Sequence, residues 1–400
     1  MTNYPAVERA LRAAAPYALL DVARSVLAEH YGALSVDLFV ADYSLSVLQA
    51  VDADPPWTHS LAVHSSRQGR AFGSQQPVSD QDQAPGPVDL HLPVTVHGDR
   101  LGVLSVRLPV ERCTAEATAE LADAAKLLGH EMVVAERDTD RYLVARRVTR
   151  LTLAAEMQWQ LLPGRAFTRP EYALGAGLEP AYAIRGDNFD WSATESTLSL
   201  TITNGMGEDI DAALLTSLAV NALRNARRAG VGLADQAALA DQAVWSRYRG
   251  AAHVATLLLS FDLATGVVQV VDAGSPRLWR RRGKAIDQVG FEAQLPLGMF
   301  EETLYVTEEF QVLPGDRLVF ASDGVYDTAS PAGAAYGDRA LARALAGTGL
   351  LPAADVPASI LRQLPDYRGQ EADDDALVVC MDWYGRQQEP AESTGQESPS

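Results

Sequence analysis

Four positions in this chain put an oxygen-bearing side chain at the edge of an apolar strand. They are Asp187 in RGDNFD, Asn204 in TNGMGE, Asp323 in ASDGVYD and Asp373 in ADDDALVV. A single Asp-Gly pair is ordinarily a turn. Their joint occurrence, each beside a β-branched or aliphatic run, carries more weight. The stretch 183–215 holds the first two: Gly186-Asp187 precedes one strand, and Asn204-Gly205 follows the next, of which 197–203 alternates most clearly. Carboxylates at both ends of a hairpin suit hard cations, which take oxygen ligands. Asp211 then opens a helix, where a carboxylate favours the exposed N–H groups and the dipole. Position 204, however, is an amide and not an acid.

The elements that must position these residues follow from the pattern between residues 178 and 383. Strands are expected over 254–264, 267–272, 277–282, 304–313, 317–322 and 376–381, and helices over 212–229, 233–248, 340–346 and 354–364. The N-terminal part reads differently. Helical periodicity runs over 5–31, alternation over 34–48, a helix over 61–69, a loop over 75–87, and strands over 88–96 and 101–108. That order is a small α+β domain. Residues 114–163 are rich in Ala, Leu, Glu and Arg and read as helix. Leu121, Ala125, Leu128, Met132 and Ala135 form one register, and Val144, Val148, Leu151, Ala155, Gln158 and Leu162 another, with a stutter or break between them at 137–141. Such a helix either packs on its own domains or pairs with a second copy as a coiled coil, giving a homodimer.

The totals exclude several classes. Four hundred residues are ample for two domains, and 47% hydrophobic with 21% charged content describes a globular protein. A formal net charge of −19 argues against nucleic acid and against an anionic membrane as partners. Cys113 and Cys380 have no metal or redox spacing, no run is long and apolar enough to span a bilayer, and no secretory leader is expected. A cytoplasmic protein is the expectation. Arg280-Arg-Arg-Gly-Lys284 reads as a basic hairpin tip, and residues 385–400 as a disordered polar tail.

Two resemblances follow. LPVTVHGDRLGVLSVRLP, within residues 5–113, resembles the final hairpin of a GAF-type sensory domain. Such domains often bind a small ligand and often dimerise. Residues 161–383 resemble the SpoIIE-like branch of the PPM metal-dependent serine/threonine protein phosphatases. MQWQLLP looks like the lead-in to the first strand, and RGDNFDW is similar to GGD-x-x-D-W/F. TNGMGEDIDAALL is similar to D-G-M/H-G-x-G…AALL, and DAGSPRLWRRRG to AGHPP…G. LPLGMF with VLPGDRLVFASDGVYDT is similar to PLG…PGDxLxLYTDGVxE, and DDDALVV to DDxTLLV.

The resemblance implies a β-sandwich flanked by helices over residues 164–384, joined by the 114–163 helical linker to the GAF-like domain. It implies one or two Mn²⁺ or Mg²⁺ ions that activate water against phosphoserine or phosphothreonine, and a phosphorylated anti-anti-sigma-like regulatory protein as substrate. Carried over by position, Asp323 and Asp373 hold one metal, Asp187 and the Gly205 carbonyl the other, and position 204 bridges them. Asp187, Asp323 and Asp373 are thereby the catalytic residues, and Asp190 and Asp327 support them. Asp374 and Asp375 flank Asp373, so the match can slip by one residue.

This chain departs from the family pattern at four points: Asn204 for the bridging Asp, Asp209 for a Gly, Ser275 for the His of AGHPP, and Arg185 for the first Gly of GGD. Three readings stay open: a working phosphatase with a weak second metal, a phosphatase fold kept as a catalytically impaired binding module, or deamidation of Asn204 before Gly205.

Overall fold

Pro16 divides the N-terminal periodic run. The residue before a proline is driven to extended backbone, and Ala15 is extended there (ψ 144°). The run therefore folds as α1 (Tyr4–Arg12) and α2 (Leu19–Tyr31), the second ended by Gly32 at φ +69°. The computed structural model describes residues 3–53, 58–80, 86–369 and 374–386. The chain divides into two units, Met1–Ala155 with Glu179–Ala183, and Glu156–Leu178 with Ile184–Ser400.

The first unit is built on an antiparallel sheet of β1 (Ser35–Ala41), β2 (Val47–Ala50), β3 (Ser60–Ala62), β4 (Val78–Asp80), β5 (Val88–Val96) and β6 (Asp99–Leu108), in the order β3-β2-β1-β6-β5-β4. The helix expected over 61–69 is instead β3 followed by α3 (Arg67–Ser74). Ser66 caps α3 by accepting the Gly69 N–H, which fixes its start beyond the expected one. Phe39, Leu48 and Val103 pack with Ala71 and Phe72 of α3. His91 and Ser105 are hydrogen-bonded at 2.9 Å across paired strands, so His91 is a buried sheet residue.

The helical run expected over 114–163 is three helices: α4 (Ala115–Ala135), α5 (Arg141–Ala145) and α6 (Leu153–Leu161). Leu121, Ala125, Leu128 and Met132 of α4 are buried in one core with Leu92, Val94 and Leu104 of the sheet. The first register is thus taken up by α4's own unit. The second register is broken because Tyr182 holds the backbone: its hydroxyl accepts the Val148 N–H and its carbonyl the Thr152 N–H. The break expected at 137–141 separates α4 from α5, and a second, unexpected one separates α5 from α6.

The second unit contributes β7 (Ala166–Arg169), β8 (Tyr172–Glu179), β9 (Asp187–Ala193), β10 (Thr197–Gly205), α7 (Asp209–Arg228), α8 (Leu233–Tyr248), β11 (Val254–Asp262) and β12 (Val267–Ala273). It continues with β13 (Arg277–Arg282), β14 (Ala285–Val289), β15 (Glu308–Gln311), β16 (Arg317–Ala321), α9 (Asp323–Tyr326), α10 (Tyr336–Gly347), α11 (Val356–Leu361), α12 (Leu364–Arg368) and β17 (Ala376–Trp383). The strand expected over 304–313 shortens to β15. One sheet runs β15-β12-β11-β10-β9, the other β14-β13-β16-β17-β8-β7.

Strands buried on both faces need a cover on each. Leu215, Ala219 and Leu223 of α7 and Ala237 and Val244 of α8 pack on Val254, Leu258 and Val271 of the first sheet. Helices α10 to α12 pack on Val319, Ala321, Val378 and Cys380 of the second. Phe261 of the first sheet stacks with Trp383 of the second, their ring centroids 6.0 Å apart. The result is a two-sheet sandwich with helices outside. No helix among the described residues is long and apolar enough to cross a membrane. The tail expected from residue 385 lies, beyond Arg386, outside the described residues.

Candidate functional site

Asp187 opens β9 and Asn204 lies directly opposite it in β10. The hairpin is closed tightly at this end. The Gly205 N–H donates to Gly186 O at 3.1 Å, and a Cβ at 186 would lie 2.0 Å from the Gly205 oxygen, so only glycine fits there. The Thr216 hydroxyl of α7 donates to the same Gly186 carbonyl at 2.9 Å. Gln158 of α6, fully buried, donates to Arg185 O and accepts from the Asn188 amide, clamping the start of β9 from the other side. Sequence reading gave Gln158 only a place in a helical register. Its signal was an amide at an otherwise apolar position.

The opposite sheet supplies the remaining acids. Asp323 follows β16 as the first residue of α9, and Asp374 and Asp375 precede β17. Asp323 Oδ1 accepts from Asn204 Nδ2 at 2.6 Å and from the Gly324 N–H at 3.0 Å. Asp375 Oδ2 accepts the backbone N–H groups of Arg185 (3.0 Å) and Asp187 (2.9 Å). The structure therefore brings Asp187, Asn204, Gly205 and Asp323 together, with Asp374 and Asp375 beside them. Asp373 lies outside the described residues. Sequence reading missed the anchoring role of Asp375, because three successive aspartates look alike until the strand fixes their register.

The electrostatics are those of unbalanced negative charge. Asp187 is 1% exposed, and neither carboxylate oxygen makes a hydrogen bond. Burial, and then the Asp375 carboxylate, raise its pKa well above the usual range, with Asp323 and Asp374 adding to the effect and the nearby Ser322 hydroxyl opposing it. Burial and then Asp374 raise Asp323. At the exposed rim, loss of solvent around its carboxylate and the neighbouring Asp375 lift Asp374 to about 6, while the Arg185 guanidinium opposes this.

Asp190 and Asp327 do not join this group in the same way. Asp190 is buried and pairs with Arg224 (2.7 Å) and Arg227 (2.9 Å), holding α7 against β9. Asp327 is exposed and acts on Asp323 through charge alone. Asp209 stands in the left-handed region at φ +49°, a conformation that favours glycine, which is what the family pattern has there. Ser275 Oγ and the Tyr326 hydroxyl are 2.6 Å apart.

Whether these residues fit a cation turns on which oxygens are still free. Among the described residues no group of three or more His, Cys, Asp and Glu side chains is arranged to hold a metal ion. Asp323 Oδ1 is engaged by Asn204, and Asp375 Oδ2 by two backbone N–H groups. The two oxygens of Asp187 remain without a hydrogen-bond partner, in a buried surrounding dominated by carboxylates. A hard divalent cation suits that donor set.

Residues 194–384 match the family model described as Stage II sporulation protein E (SpoIIE). The match contains Asn204, Gly205, Asp323 and Asp373 and begins after Asp187. No curated protein matches the chain. Among solved structures, the PP2C phosphatase domain with a regulatory fragment of SpoIIE from Bacillus subtilis is 19% identical with a TM-score of 0.47, covering 54% of this chain and 65% of that one. This chain thus spans less than two thirds of that relative. The SiaA-PP2C domain of Pseudomonas aeruginosa is 20% identical with a TM-score of 0.49, covering 58% of this chain and 94% of that one. The catalytic domain of the serine/threonine phosphatase PstP, solved with two manganese ions, is 17% identical with a TM-score of 0.39, covering 53% and 99%. Over residues 194–384 the chain is similar to the SpoIIE family, one of the SpoIIE/PP2C group whose members are protein serine/threonine phosphatases.

Proposed function

We propose that this chain is a divalent-cation-dependent protein phosphatase that hydrolyses phosphoserine or phosphothreonine in a regulatory protein. The observation that carries the reading is Asp187: a buried carboxylate with no hydrogen-bond partner for either oxygen, under the charge of Asp375, Asp323 and Asp374. By the sequence resemblance, Asp187 and the Gly205 carbonyl would hold one Mn²⁺ or Mg²⁺ ion, Asp323 and Asp373 another, and position 204 would stand between them. A cation held by these residues would supply a lowered pKa for water and neutralisation of phosphoryl oxygens. Around it, Asp375 fixes the backbone of β9 through two N–H groups, and Gln158 fixes the same segment from α6. The Arg185 guanidinium acts on Asp374 and brings positive charge to the rim.

The finer assignments rest on the sequence resemblance. They are a GAF-like sensory unit in residues 5–113 with a small-molecule ligand, a cytoplasmic homodimer, and an anti-anti-sigma-like phosphoprotein as substrate. A second reading is favoured by one observation. The Asn204 amide already occupies Asp323 at 2.6 Å, which suits a catalytically impaired binding module with at most one cation. A single experiment tests both: hydrolysis of a phosphoserine peptide by the native chain and by Asn204→Asp, with Mn²⁺ and with EDTA. Mn²⁺-dependent turnover by the native chain supports the phosphatase. Turnover only after the substitution supports the binding module, and turnover by neither overturns the hydrolytic reading.

A further inference from the structure

Beside the acidic centre lies a cavity of about 400 Å³. It is walled by the turn between β12 and β13, the end of β14, and Tyr326, the last residue of the short helix that Asp323 opens. The proximity is electrostatic as well: the Asp323 and Asp327 carboxylates both act on the Tyr326 phenol. Pro276, Leu278, Val289 and Phe291 make most of the lining apolar.

One acid interrupts it. Asp272 is half-buried, accepts the Gly274 N–H at 3.0 Å, and forms no ion pair among the described residues. Burial raises its pKa to about 6, with Glu308 acting in the same direction and the Gly274 N–H and the Arg277 guanidinium opposing it. Arg277 acts on it through charge alone. The Arg277 guanidinium lies over the Tyr326 ring at 4.0 Å, and the Ser275–Tyr326 hydroxyl contact of 2.6 Å holds that ring in place. The chamber has aliphatic and aromatic walls, and Arg277, stacked on Tyr326, acts on its one carboxylate by charge without an ion pair among the described residues. Such a lining matches a long apolar stem ending in a cation. The net charge of −19 favours the same sign on an incoming segment.

We propose that this cavity receives a lysine or arginine side chain that flanks the phosphorylated residue of the protein substrate, with Asp272 as its counter-charge. The inference rests on the phosphatase reading above and assigns it a sequence preference. Asp272→Asn is the direct test, because the amide oxygen still accepts the Gly274 N–H. Ala293→Phe, at an exposed position of the lining, fills the chamber without touching its charge.

A set of phosphoserine peptides carries one Lys at each successive flanking position, with Ala and Glu counterparts. Binding is followed by fluorescence anisotropy, KM and kcat by phosphate release, and p-nitrophenyl phosphate serves as a substrate too small to reach the cavity. The native chain should favour at least one Lys peptide about fivefold in KM or Kd, the scale of a partly exposed ion pair. Both substitutions should erase that preference and leave p-nitrophenyl phosphate turnover unchanged. Absence of any Lys preference in the native chain, or its survival in Asp272→Asn, overturns the proposal. Loss of all turnover with the anisotropy preference intact counts against the phosphatase reading and supports the cavity.

Discussion

Asn204 Nδ2 donates to Asp323 Oδ1 across 2.6 Å, tying the end of β10 in one sheet to the helix that leaves the other. An amide supplies a neutral donor where the family pattern has a second acceptor of positive charge. The bond satisfies Asp323 without a cation and leaves Asp187 as the carboxylate with nothing to balance it.

Asn204→Asp reverses that arrangement. Without divalent cation the variant loses the hydrogen bond and gains a like charge opposite Asp187 and next to Asp323, so it should be less stable by about 1–3 kcal/mol. With excess Mn²⁺ its melting temperature should rise by more than that of the native chain. Differential scanning fluorimetry and titration calorimetry on both proteins read this directly. Equal Mn²⁺ shifts would show that position 204 does not touch the cation.

Asp187→Asn should do the opposite. Removing a buried carboxylate that lacks any hydrogen bond relieves a desolvation cost. The cation-free variant should therefore be more stable than the native chain by about 1 kcal/mol or more. The same substitution should abolish the Mn²⁺-induced rise in melting temperature. A destabilised variant that still responds to Mn²⁺ would contradict both halves.

The pH dependence has a definite sign. Asp374 is raised to about 6 in the folded chain from an ordinary 3.8. Between those values the folded state holds the extra proton, so stability falls as pH rises through the window. The contribution is fully present below about 4 and gone above about 6. The cation-free native chain should thus lose melting temperature relative to Asp374→Asn as pH goes from 4 to 7, measured by calorimetry in EDTA. A flat difference would mean that Asp374 is not desolvated.

Asp190→Ala leaves Arg224 and Arg227 without their shared carboxylate in a largely buried place. Breaking one side of such a pair should cost about 3 kcal/mol in urea unfolding. Asp190→Asn, which keeps part of the hydrogen bonding, should cost less.

Much of the second unit was legible in the sequence. Residues 233–248 and 277–282 fold over those same bounds as α8 and β13, because each lies between clear breakers: Gly230 and Gly232 before the helix, and Gly283 after the strand. The linker was legible only in the break expected at 137–141, which falls between α4 and α5. An Ala- and Leu-rich run such as 114–135 states that one face is buried but not against what, and here the partner is β5 and β6 of the same unit. The second break, between α5 and α6, depends on Tyr182, far along the chain, taking the N–H groups of Val148 and Thr152. The acidic constellation was legible as a set of strand edges. The division of labour within it was not: which of three aspartates anchors β9, and that Gln158 holds the same segment, are long-range facts.

Asp187 and Asn204 ride on one layer of the sandwich, and Asp323 and Asp375 on the other, so the centre is a seam between two slabs. A cation held there would act as a rivet. Slippage of one slab against the other by a fraction of a bond length would loosen it well before either slab lost its ladder of strands. Heating should therefore silence the centre at a temperature where circular dichroism still records an intact sheet.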